Sequence, residues 1–156
     1  MRNRQNLHDA GIALILFGIV HLVLFAATVI ADLVDGSFAA AMAEVKPEYL
    51  VATKVTIGIL GGLMGLLVLT DAFIGIKALK VSKKPDTSKG YITVAKVFFV
   101  ISVIAAVVYV GTLIGGRAPI VDTILNLAST VLDAVVYFLF AKAALAVRND
   151  VINGVK

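Results

Sequence analysis

The sequence predicts an all-α, integral membrane four-helix bundle with both termini cytoplasmic, and three observations predict it. Of its 156 residues 60% are hydrophobic, with a mean hydropathy of +1.02, which is more apolar surface than a soluble domain of this size hides in a core. The apolar residues form four runs, Gly11 to Leu33, Val51 to Ile76, Ile92 to Ile114 and Ile120 to Leu145. Each is near or above the roughly 20 residues an α-helix needs to cross a bilayer. The third observation is charge placement. The connection from Lys77 to Gly90 carries Lys77, Lys80, Lys83, Lys84 and Lys89 against Asp86 alone, whereas Val34 to Leu50 carries Asp35, Glu44 and Glu48 against Lys46. Lys and Arg mark the cytoplasmic side of membrane proteins. Arg2 and Arg4 at one terminus and Lys142, Arg148 and Lys156 at the other agree with that side, and the short Gly115 to Pro119 turn, with Arg117, falls outside.

The first helix, about 11–33, is too long in its apolar part for a signal peptide, whose apolar core runs about 7–15 residues, so a permanent span is expected. His21, Thr28, Asp32 and Asp35 follow at spacings that place them on one side. The outer connection after it, Gly36 to Lys46, sets Phe38, Met42 and Val45 at helical spacing. A short interfacial helix over 37–46, ending before Pro47, is expected there.

The second helix, about 51–76, holds Lys54 near its outer end and Gly58, Gly61, Gly62 and Gly65 along its length. The Gly61 to Gly65 step is the small-xxx-small pattern that lets helix backbones approach, so Gly58, Gly61 and Gly65 are expected to pack helices inside the monomer or between subunits. Asp71 near the end of this helix and Lys96 near the start of the third, about 92–114, fall at equal distances from the centre of the lysine-rich connection. A structural ion pair is expected, since leaving each charge unpaired in the membrane costs more.

The fourth helix, about 120–145, carries the strongest signal. Asp122, Asn126, Thr130, Asp133 and Tyr137 recur every three or four residues, which is one helical face. An ionised Asp near the bilayer centre costs about 2.5–3.5 kcal/mol even on insertion scales, so this face is expected to meet protein or water. His21 lies at a depth similar to that of Asp133, and a His–Asp pair there would form a coupled site able to exchange a proton near neutral pH. A histidine bonded only to a backbone carbonyl or to Tyr109 is the plainer alternative. No repeat or linker divides the chain, so residues 1–156 are expected to form one domain.

Composition narrows the chemistry. The chain has no cysteine and two histidines, which removes disulfides, thiolate metal sites and iron–sulfur clusters and leaves too few ligands for a multi-histidine centre. The net charge of +4 is concentrated beside the apolar runs, where it meets anionic headgroups, so nucleic acid is not an expected partner. Walker loops, nucleophile elbows and zincin motifs are missing from the sequence. The leading expectation is a proton- or small-cation- or solute-coupled transport or channel unit, a homo-oligomer in a prokaryotic cytoplasmic membrane, with Asp133, His21, Asn126, Thr130, Asp122 and Tyr137 as its site. Oxygen ligands of this kind suit a hard cation, but one helix cannot complete its shell, and no metal is specified. The alternative is a non-catalytic anchor or accessory subunit of a membrane complex, binding a partner helix, lipid, quinone or haem. No cofactor is required by the sequence, and an enzyme using His21 and Asp133 ranks third.

Overall fold

The computed structural model describes residues 2–116 and 120–154, apart from the side chains of Leu60, Met64 and Asp122. Five α-helices and one 3-10 turn follow in order: α1 Arg2–Val34, α2 Ser37–Glu44, the turn Pro47–Tyr49, α3 Leu50–Lys83, α4 Gly90–Ile114 and α5 Ile120–Ile152. There is no strand among the described residues, and α1, α3, α4 and α5 are long and apolar enough to cross a membrane. The turn expected between the last two helices lies partly outside the described residues, since these stop at Gly116 and resume at Ile120.

Three helices run past the apolar stretches that announce them. α1 begins at Arg2, α3 continues to Lys83 and α5 to Ile152. The added turns carry Arg2, Arg4, Lys77, Lys80, Lys83 and Arg148, good helix formers that hydropathy does not count. Gly36, which precedes α2, and Gly116, which follows α4, adopt positive φ of 76° and 59°, values a side chain disfavours. Pro47 opens the 3-10 turn, where its missing N–H costs nothing.

The chain divides into two compact units, one of residues 1–14 and 74–156, the other of residues 15–73. In the first, the start of α1, the end of α3, and α4 and α5 share one core. Its members follow alternating steps of three and four: Leu7, Gly11 and Leu14 on α1; Ile74, Ala78 and Val81 on α3; Tyr137, Phe140, Ala144 and Val147 on α5. That period keeps one stripe of each helix facing its neighbours. α1 and α3 approach closely through small residues. A Cβ built on Gly11 would stand 3.0 Å from Ala78 Cβ and 3.0 Å from the Gly75 carbonyl oxygen. α4 and α5 are held by aromatic pairs: Phe98 stacks on Tyr137 with ring centres 5.5 Å apart, Phe99 meets Phe138 at 5.7 Å, and Tyr91 sits edge-on to Phe140 at 6.1 Å. Each such pair contributes about 0.5–1.5 kcal/mol beyond the area it buries.

The second unit comprises the rest of α1, α2, the 3-10 turn and the first part of α3. Gly18 repeats the close approach of Gly11 one heptad on, since a Cβ there would lie 3.1 Å from Asp71 Cβ. At Gly58, Gly61 and Gly65, expected to pack helices inside the monomer or between subunits, a built Cβ meets no described atom of another helix within 4 Å. Close approach of helices among the described residues is seen at Gly11 and Gly18. Large side chains elsewhere are open, as at Leu16, Ile19 and Val23, each half or more exposed.

Two kinds of glycine are therefore expected to respond in opposite ways. Gly11→Ala should destabilise by about 1–3 kcal/mol, because its methyl meets backbone and a short side chain that cannot swing aside. Gly61→Ala should be neutral or stabilising by up to about 1 kcal/mol through helix propensity alone. Thermal unfolding of the two variants in detergent micelles compares them directly.

Candidate functional site

The polar face of α5 lies in the first unit, and its geometry follows from the aromatic register. Phe98 on α4 stacks on Tyr137 on α5. One helical turn farther from the lysine-bearing ends of these antiparallel helices stand Ser102 on α4 and Asp133 on α5, which the register brings to the same level. Ser102 is buried at 7% exposure, and it is the one polar residue between Val97 and Val108. Tyr137 is buried at 5%. Asp133 is partly buried, with its Oδ1 atom withdrawn from solvent.

Thr130 precedes Asp133 by one turn on the same stripe. Its hydroxyl donates to the Asn126 carbonyl oxygen at 2.7 Å, which satisfies the proton within the helix and leaves the oxygen lone pairs as acceptors. The same back-bond recurs at Thr28, Thr56, Thr70 and Thr112, so it is how this chain accommodates threonine in apolar helices. Asn126 is exposed, and Thr123, one turn before it, is buried at 4%. The Asp122 side chain lies outside the described residues. The face thus collects a carboxylate, two hydroxyl oxygens and a phenol along α5, with a serine hydroxyl level with the carboxylate on α4. Such a set accepts a proton at Asp133 or offers oxygen ligands to a small hard cation.

Other candidates occupy the second unit. His21 is partly exposed and packs edge-on to Phe17, with ring centres 4.4 Å apart. Asp71 is buried at 4% beside Gly18. Lys96 belongs to the first unit, where it is exposed on α4. Among the described residues no three His, Cys, Asp or Glu side chains gather as a metal site.

Sequence reading missed Ser102, because one hydroxyl in an apolar run makes no periodic pattern. It also missed two polar ties at the end of the molecule that carries the termini. Asn3 donates to Asp150 at 2.8 Å, joining the start of α1 to the end of α5. Lys77 donates to Asp86 at 3.0 Å, tying α3 to the connection before α4, where Asp86 also accepts the Ser88 backbone N–H at 2.9 Å. Partial burial opposes the Asp86 carboxylate, but the Lys77 hydrogen bond, the Ser88 N–H and the Lys77 charge together outweigh it. Its pKa is held below the ordinary value of 3.8. Asp35, between α1 and α2, is likewise lowered, chiefly by the Ser37 backbone N–H.

A carboxylate whose pKa is depressed on folding adds stability above its unfolded pKa and loses it as pH falls through the folded value. Asp86→Asn should therefore cost less than about 1 kcal/mol at neutral pH, since the pair is a third or more exposed. The difference from the unmodified chain should close as acid titrates Asp86 below 3.8, measured as the pH dependence of the two unfolding midpoints. Comparison of the chain with protein-family models, with curated proteins and with solved structures finds no match.

Proposed function

We propose that this chain is an integral membrane protein of the cytoplasmic membrane of a prokaryote and works, as a homo-oligomer, as a proton- or small-cation-coupled transport unit centred on Asp133. The observation that carries the reading is the depth and company of that carboxylate. Lys96 and Ile114 on α4 are separated by about 27 Å along the helix, and Lys142 and Ile120 on α5 by about 33 Å, which brackets the roughly 30 Å of a hydrocarbon core. Between those limits Asp133 stands about 14 Å from the level of Lys142, close to the midplane. A carboxylate at that depth, with Thr130 and Tyr137 on its own face and Ser102 level with it, is the arrangement that intramembrane ion and proton pathways use.

Orientation follows from charge. Asn3 bonded to Asp150, and the Arg148 Nε–H directed at the Thr87 carbonyl oxygen at 3.4 Å, support both termini and the lysine-rich connection lying at one end. That end takes the cytoplasmic side by its Lys and Arg excess. Exposure of Asn126 at membrane depth supports the oligomer, because an amide facing hydrocarbon requires a polar partner that a second copy supplies. Four spans also make a small unit for a complete pathway.

The test is flux. Reconstituted in proteoliposomes, the unmodified chain should dissipate a proton, Na⁺ or K⁺ gradient, and Asp133→Asn, which removes the midplane carboxylate on which the proposal centres, should lower that flux about ten-fold or more. Equal folding and oligomer size of the two proteins are confirmed first. Absence of flux for all three ions in both proteins would replace transport with the partner- or lipid-binding subunit.

A further inference from the structure

An open, wholly apolar groove of about 650 Å³ runs between α4 and α5, floored by Ala106 and Ala134 and walled by Val103, Val107, Leu127 and Val131. Phe99 and Phe138 line its lysine-side end and also line a second hollow of about 570 Å³, whose rim carries Lys96, Lys142 and Asn149, so the two hollows adjoin at these rings. The two lysines stand at the same level, each one helical turn beyond its phenylalanine, and both are exposed. From Phe99 to Val110 the groove extends about 17 Å along α4, the depth of one leaflet of a roughly 30 Å hydrocarbon core.

We infer that this groove and its lysine rim are a binding site for an anionic phospholipid. One acyl chain lies along the α4–α5 groove from Phe99 toward Val110, and the phosphate sits between the Lys96 and Lys142 ammonium groups, with Asn149 able to donate to a headgroup oxygen. Charge complementarity selects this occupant. A neutral helix of a partner would fill the apolar part and leave two cations facing each other, whereas a phosphodiester at the groove mouth compensates both. Asp9, which lines the hollow on the other side of Lys142, is already engaged as acceptor for Gln5 at 2.8 Å and beside His8 at 3.2 Å. The site also lies at the end bearing the other lysines, where anionic lipid concentrates if that end is cytoplasmic.

The inference rests on the membrane reading above but not on transport. It is tested with the full chain in vesicles of phosphatidylcholine doped with phosphatidylglycerol, followed by gentle extraction and native mass spectrometry of the lipids retained. Phosphatidylglycerol should be retained at least about five-fold over phosphatidylcholine, the preference expected from one lysine near an anionic headgroup. The double variant Lys96→Gln, Lys142→Gln should lose the preference, and Lys96→Arg, Lys142→Arg should keep it. Ala134→Phe, which fills the groove, should reduce retention of both lipids. Excess inorganic phosphate should not displace phosphatidylglycerol, because it lacks the acyl chain. Preference surviving the glutamine pair, full displacement by inorganic phosphate, or retention unaffected by Ala134→Phe would each overturn the lipid site. Alkaline extraction of the same vesicles separates the two levels. A chain that washes off overturns the membrane reading, whereas one that stays embedded yet holds both lipids equally overturns the lipid site alone.

Discussion

The register of α4 against α5 is set by three aromatic contacts, Tyr91 with Phe140, Phe98 with Tyr137 and Phe99 with Phe138. In hydrocarbon, apolar side chains gain nothing from leaving lipid, so helix association there depends on contact geometry and polar bonds. Rings supply that geometry because they are large, stiff and directional. A slip of one turn along this pair would separate Ser102 from the level of Asp133 and Lys96 from that of Lys142. The polar level within the helices and the basic rim at their ends thus depend on the same few side chains.

α1 and α3 solve the same problem by the opposite means. Where α4 and α5 interlock through rings, α1 approaches α3 through Gly11 and Gly18, with Gly75, Ala78 and Asp71 as the surfaces met. Close backbone approach multiplies weak dispersion contacts that bulky side chains would hold apart. Asp71 sits at the second of these approaches and is buried there, so the glycine that permits the approach also determines how a carboxylate is enclosed. The polar ties of Asn3 to Asp150 and Lys77 to Asp86 then fasten the terminal turns, where water competes and individual bonds contribute about 1 kcal/mol or less.

How far the molecule was legible in its sequence differs between elements. The four long helices and the short one after Gly36 were readable, because unbroken apolar runs and a Pro47 stop leave few other solutions. Helix ends were less so: hydropathy ends where the membrane would, whereas α1, α3 and α5 continue in polar turns that hydropathy does not register. The choice of packing face was the least legible. When one side of a helix faces lipid and the other faces protein, both are apolar, and Gly58, Gly61 and Gly65 look as suitable as Gly11 and Gly18. What distinguishes them is the neighbour each meets in the fold. On α5 the stripe from Asn126 to Tyr137 was visible as periodicity, but its graded enclosure, from exposed Asn126 to buried Tyr137, was not, since it depends on what α4 places alongside.

The enclosure of this face bears on chemistry. At Tyr137 the face is covered by Phe98, at Asp133 a carboxylate oxygen is withdrawn from solvent, at Asn126 the face is open, and at Thr123 it is buried again. Thr130, one turn toward Asn126, commits its hydroxyl proton to the Asn126 carbonyl and keeps its oxygen lone pairs as acceptors. A carboxylate and hydroxyl lone pairs on one face give it a negative potential. Lys96 and Lys142 lie on the other side of the aromatic rings from Asp133, so the ammonium groups and the carboxylate of this helix pair are separated by Phe98, Phe99, Tyr137 and Phe138. A single layer of rings therefore fixes the register, closes the polar face and keeps the two signs of charge apart.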